Sequence, residues 1–189
     1  MSFMKNNFLK ISLLIAGLVC IGAVYCIRHS NKMNSYIGQI MQEYQARQIL
    51  FPYIDTTPFE RTFLEAPIKI VFFVDAECNT CLLQIDFFFN FVTEFNRLGY
   101  SVPILLYARS SDEHSFISYI YSSWPESEGC FWIYDADLEF IRVNELRHFV
   151  LQTLLLDSNN QILLMGNPQF NDELKKLYKK TILKYLKKN

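Results

Sequence analysis

Glycine is scarce in this chain, with six in 189 residues, and none is spaced as the glycine-rich turns that cradle a phosphate or a dinucleotide. Phosphoryl transfer and hydride transfer from a bound nucleotide therefore have no support in the sequence. An excess of charge of one sign is also missing. Eighteen Lys and Arg against nineteen Asp and Glu leave a formal net charge of −1, and no basic stripe interleaved with aromatics is present, so nucleic acid is not an expected partner. No internal repeat is found, which sets aside solenoids and propellers. Apolar and aromatic side chains are plentiful, at 51% and 16% of the chain, enough for one substantial core. The length fits one modest domain with an N-terminal extension.

The extension reads as a membrane element. Lys5 and Lys10 precede an uncharged run from Ile11 to Ile27, and Arg28 closes it, so 1–10 is an expected cytoplasmic tail and 11–28 an expected transmembrane helix. A cleaved signal peptide is the competing reading, but Tyr25, Cys26 and Ile27 carry the apolar stretch past the small residues Gly22 and Ala23. Val19 and Tyr25 precede Cys20 and Cys26, which argues for ordinary apolar cysteines over acylated ones. The short N-terminal tail points to an exported C-terminal domain, although Arg28 and Lys32 balance Lys5 and Lys10 across the run. Residues 29–58 read as a juxtamembrane helix and linker. Ile37, Ile40, Met41 and Tyr44 have helical spacing, and Pro52, Pro58 and Pro67 then argue against helix. The folded domain is expected over 59–189, from Phe59.

The chemistry sits at Cys78-Asn79-Thr80-Cys81. This C-x-x-C pair follows the apolar run Ile68 to Val74, a buried strand, and precedes the amphipathic stretch Leu82 to Leu98, a helix. A thiol at the first position of a helix faces unpaired backbone N–H groups and the positive end of the dipole, which makes Cys78 the expected thiolate. Two intervening residues bring Cys81 within bonding distance, so it can attack a mixed disulfide at Cys78 and act as the resolving thiol. A static disulfide or a zinc site are the competing readings. Zinc would need two further ligands, and Cys130, His114 and His148 are not closely paired, so no metal and no cofactor is expected.

Further along, Val102 to Tyr107 reads as a second strand and Asp112 to Tyr121 as a helix with Ser110, Ser111 or Asp112 as cap. Phe131 to Tyr134 is a short strand. Phe149 to Leu156 and Gln161 to Met165 form a hairpin, and a last helix begins at Asn171 or Asp172 and runs to about Leu186. The order gives an α/β fold with a mixed central sheet between two helical layers. Cys130 reads as a small buried hydrophobe, Arg147 and His148 as solvated loop, and the lysines between 175 and 188 as a solvated face.

Strand, C-x-x-C, helix, strand, helix, hairpin and C-terminal helix together resemble the thioredoxin-like superfamily, over about Pro67 to Lys187. The stretch Thr153-Leu154-Leu155-Leu156-Asp157-Ser158-Asn159-Asn160-Gln161-Ile162-Leu163-Leu164-Met165-Gly166-Asn167-Pro168 is similar to bacterial membrane-tethered thiol-disulfide oxidoreductases of the redoxin type. The resemblance implies a three-layer α/β/α domain in the periplasm, held at the inner membrane, that exchanges disulfides with envelope proteins through Cys78 and Cys81. Its partners would be protein thiols or disulfides and a redox-recycling protein. Gln152 stands where the family has a cis-proline, so Gln152 and Thr153 become the expected substrate-docking pair. Phe72 stands where a strand carboxylate accepts the proton of the resolving thiol, and Glu77, with Asp75 nearby, where an aromatic residue is common, so two carboxylates oppose the helix dipole at Cys78. These departures leave a non-enzymatic scaffold with a fixed disulfide as the alternative.

Overall fold

The computed structural model describes residues 42–44, 47–54, 58–123, 129–146 and 152–187. The chain divides into two compact units, Met1–Tyr44 and Gln45–Asn189, and every element named below lies in the second. The expected transmembrane helix at 11–28 and the tail at 1–10 fall outside the described residues, as do Cys20, Cys26, Arg147 and His148. None of the described helices is long and apolar enough to cross a membrane.

The elements run α1 (Pro58–Glu65), β1 (Ile68–Asp75), α2 (Asn79–Asn96), β2 (Ile104–Arg109), α3 (Glu113–Ser123), β3 (Cys130–Tyr134), α4 (Glu139–Val143), β4 (Thr153–Asp157), β5 (Ile162–Met165), a 3-10 turn (Pro168–Phe170) and α5 (Asp172–Leu186). The five strands form one mixed sheet in the order β3-β2-β1-β4-β5. β1 is central, parallel to β2 through Ile70↔Ile104 and antiparallel to β4 through Ile70↔Leu155. β3 continues the parallel side, and β4–β5 is the expected hairpin, turning through Asp157, whose Oδ1 accepts from the Asn159 and Gln161 amides.

Alternation along β1 divides the core between two helical layers. Ile68, Ile70, Phe72 and Val74 pack in one cluster with Ile85, Phe88, Phe91, Val92 and Phe95 of α2, Phe116 and Ile120 of α3, and Tyr178 and Ile182 of α5. The other face is closed by α1 and α4. Phe63 of α1 meets Phe131 of β3 edge-on at 5.8 Å, and Phe140 of α4 stacks on Tyr107 of β2 at 4.2 Å. The result is the α/β/α layering expected from the sequence.

Two short helices were not expected. α1 begins at Pro58, where the residue's missing N–H costs nothing because the first amides of a helix have no internal partner. The proline that argued against helix is therefore its starting residue. α4 is a five-residue helix entered through Leu138 at φ 56°, and it is held by the buried Asp135, whose carboxylate accepts from the Glu139 amide at 2.8 Å and the Phe140 amide at 2.9 Å. The end of the expected linker also enters the fold. Ile49 N–H donates to Asn160, Ile162 N–H donates to Arg47, and the Asn144 side chain bonds both the N–H and the carbonyl of Leu50 at 2.8 Å.

A basic side chain is buried as well. Lys69 of β1 is fully buried, donates to the Leu64 carbonyl in the last turn of α1 at 2.5 Å, and sits 5.5 Å from the centre of the Phe63 ring. A cation there suits the negative end of α1. Desolvation nonetheless lowers its pKa to about 8, against a smaller opposing pull from Asp157.

Asp135→Ala removes both acceptors for the first amides of α4 and is expected to cost about 1–3 kcal/mol in urea denaturation; a loss under about 0.5 kcal/mol would contradict the capping role. Lys69 has a lower pKa folded than unfolded, so the unfolded chain binds more protons between about pH 8 and its ordinary 10.5. Stability is then expected to rise with pH across that window by about 1–2 kcal/mol relative to a Lys69→Met variant. Parallel stability curves for the two chains would remove the buried charge as the cause.

Candidate redox site

β1 is buried until Asp75, at its C-terminal end, where 75–78 turns into α2. Cys78 is the residue just before α2, with extended backbone at φ −102°, ψ 102°. Its carbonyl accepts from Cys81 N–H at 2.8 Å and Leu82 N–H at 3.3 Å, which closes the first turn. That turn brings the two Cα atoms to 5.2 Å, and the sulfurs form a disulfide. Both cysteines are half-buried, and Cys81 packs against the core with Ala76 and Leu82.

The two carboxylates flanking the site each have a partner. Asp75 Oδ2 lies 3.4 Å from the Arg109 guanidinium, and its other oxygen accepts from the Glu77 amide at 3.1 Å. Glu77 accepts from the Ser111 amide at 2.6 Å. That bond, foremost, with help from the Ser111 and Ser110 hydroxyls and Arg109, holds the Glu77 carboxyl below its ordinary value against partial desolvation. The carboxylate is thus ionised at neutral pH.

The strand that leads to the disulfide is apolar in the core. Phe72 is fully buried and stacks on Phe88 of α2 at 4.5 Å. Gln152 is half-buried directly before β4, and its carbonyl accepts from Phe73 N–H at 2.8 Å; Thr153 is buried and pairs with Phe72. The sheet therefore brings Gln152 and Thr153 to the same end of β1 as Cys78. Cys130, at the start of β3, is half-buried and takes no part in the disulfide. Both cysteines and Glu77 are legible in the sequence, whereas the Ser110–Ser111 loop as the neighbour of Glu77 is not. The strand-helix-strand order carries what signal there is, because the parallel pairing of β1 with β2 sets the loops after the two strands side by side.

A mixed sheet with a central β1, a C-x-x-C pair between β1 and α2, and a closing β-hairpin and helix has the topology of a thioredoxin-like fold, with a close cysteine pair. No protein-family model and no curated protein matches the sequence. Among solved structures, the chain is similar to a Chlorobium tepidum protein given the name thiol:disulfide interchange protein DsbE, at 13% identity and a TM-score of 0.47, covering 65% of this chain and 82% of that one. It is also similar to a Cytophaga hutchinsonii domain given as a thiol-disulfide isomerase, at 17% identity and a TM-score of 0.43, covering 64% and 80%.

Proposed function

We propose that this protein is a membrane-anchored thiol-disulfide exchange protein of the cell envelope, with Cys78 as nucleophile and Cys81 as resolving thiol. The observation that carries the reading is the Cys78–Cys81 disulfide in the first turn of α2, at the end of the central strand. A Cys78 thiolate there is stabilised by the α2 amides and dipole. It attacks a protein disulfide, forming a mixed disulfide and expelling one substrate thiolate. Cys81 then loses its proton and attacks Cys78, which expels the second substrate thiolate and closes the disulfide. Two electrons and two protons pass to the substrate, and a partner dithiol returns them to the pair. With Phe72 in β1, the Cys81 proton leaves through water reaching the half-buried sulfur. Gln152 and Thr153 are the proposed docking edge for the substrate backbone. The uncharged run Ile11 to Ile27 supports an inner-membrane anchor with the domain in the periplasm.

A second reading has Phe72 in its favour: a scaffold whose disulfide is a fixed staple has no use for a proton acceptor beneath the resolving thiol. The reduction potential of the pair separates the two. An exchange protein is expected between about −270 and −120 mV, and a value well below about −300 mV would replace this reading with the staple. Cys81→Ser is expected to accumulate mixed disulfides with partner proteins on thiol trapping, and Cys78→Ser is not. Equal trapping by both variants would sink the assignment of roles.

A further inference from the structure

The turn that carries Cys78 is fastened to the loop between β2 and α3, and the fastening passes through the side chain next to the cysteine. Glu77 Oε1 accepts from Ser111 N–H at 2.6 Å and lies 3.5 Å from Ser110 Oγ. Ser110 is anchored in turn, its carbonyl accepting from the Tyr134 hydroxyl at the end of β3 at 2.6 Å, and its Oγ accepting from Asp112 N–H at 3.1 Å. The backbone runs in parallel with this bridge, since Ala76 N–H donates to the Arg109 carbonyl at 2.8 Å and Asp75 faces the Arg109 guanidinium. Glu77 is exposed, so its hydrogen bonds are not a way of satisfying a buried group.

We propose that Glu77 is a positioning residue for Cys78, whose carboxylate latches the cysteine turn to the β2–α3 loop and whose charge biases the pair toward the disulfide. The inference rests on the exchange reading of that pair. A negative charge one residue from the sulfur opposes formation of the Cys78 thiolate. Reduction of the disulfide takes two electrons and two protons, and where Cys78 ionises one of those protons returns to solvent. Whatever opposes the thiolate therefore opposes reduction, and the reduced pair gives up its electrons more readily. The low carboxyl pKa keeps the charge in place: the latch is intact above the ordinary carboxylate range and is lost only as pH falls through the lowered value.

The test uses the full chain in the Cys81→Ala background, with the pH dependence of Cys78 alkylation by iodoacetamide read by peptide mass spectrometry, and amide hydrogen exchange followed at Ser111. Glu77→Gln keeps an acceptor for the Ser111 amide and removes the charge. The alkylation midpoint is expected to fall, by a threefold to tenfold rise in the acid dissociation constant, with Ser111 protection largely kept. Glu77→Ala is expected to lower the midpoint similarly and to speed Ser111 exchange about tenfold. An unchanged midpoint in Glu77→Gln, or equal Ser111 exchange in wild type and Glu77→Ala, overturns the assignment; a role confined to stability would move neither the midpoint nor its order. Failure of the intact pair to equilibrate with glutathione would instead remove the exchange reading, and both Glu77 measurements still decide the latch.

Discussion

Hydrogen bonding along both edges of β1 and apolar packing on both its faces fix where that strand ends, and the dithiol stands at that end. β2 and β4 occupy the two edges, and seven of the eight residues of β1 are buried. Such a strand has a weakness, because a slip of one residue exchanges apolar for apolar: Val71 for Phe72, Phe73 for Val74. Alternation cannot hold the register. The polar residues at its two ends can. Lys69 reaches the Leu64 carbonyl only from its present position, and Asp75 meets Arg109, its register partner on β2. A slip would strand a buried ammonium without its acceptor, which costs several kcal/mol. The charge that lowers stability through desolvation thus also aims Cys78.

The second face of the sheet depends on a similar use of a few polar groups. α1 and α4 are too short to be stable on their own, since a helix of eight or five residues fixes more backbone than its hydrogen bonds return. Each is closed by a side chain from the sheet or the segment beside it: Lys69 on the last turn of α1, Asp135 on the first turn of α4. Asn144 then joins the end of α4 to Leu50, and the Tyr107 hydroxyl donates to the Pro52 carbonyl. These bonds close the layer over Tyr107 and Phe63 and leave the opposite layer free to carry α2.

Legibility followed the period of the apolar pattern. β1, α2, the hairpin and α5 are long apolar or strongly periodic runs, and their places were readable from spacing; Asn171 indeed caps α5 through the Leu174 amide. α1 and α4 were not readable, because both are short and their ends are held by Lys69 and Asp135, side chains in or just after a strand that carry no helix signal. Of the site, both cysteines and their strand-helix context were legible from the motif. The partners of Glu77 and Asp75 were not, since Ser111 and Arg109 approach only once β2 pairs with β1. From the sequence, the two carboxylates beside Cys78 could be read only as bare charges opposing the helix dipole.

The structure changes the terms of that opposition. The dipole at an exposed helix N-terminus is worth about 0.3–1 kcal/mol to an anion, a small advantage for Cys78. Two unpaired carboxylates at its side would erase it. Asp75 is instead offset by Arg109, and Glu77 shares its charge with an amide of the neighbouring loop. Hydrogen bonds of that kind stabilise the carboxylate without neutralising it, so a residual repulsion on a Cys78 thiolate still stands against the dipole. In the proposed exchange reaction, a Cys78 thiolate poised between two small opposing terms is sensitive to whichever neighbour a partner protein disturbs. A substrate that displaces the Ser110–Ser111 loop would free Glu77, and one that covers it would hold the carboxylate in place. The electrostatics around Cys78 are therefore set partly at the end of β2 and in the loop that follows it, outside the motif that announces the site.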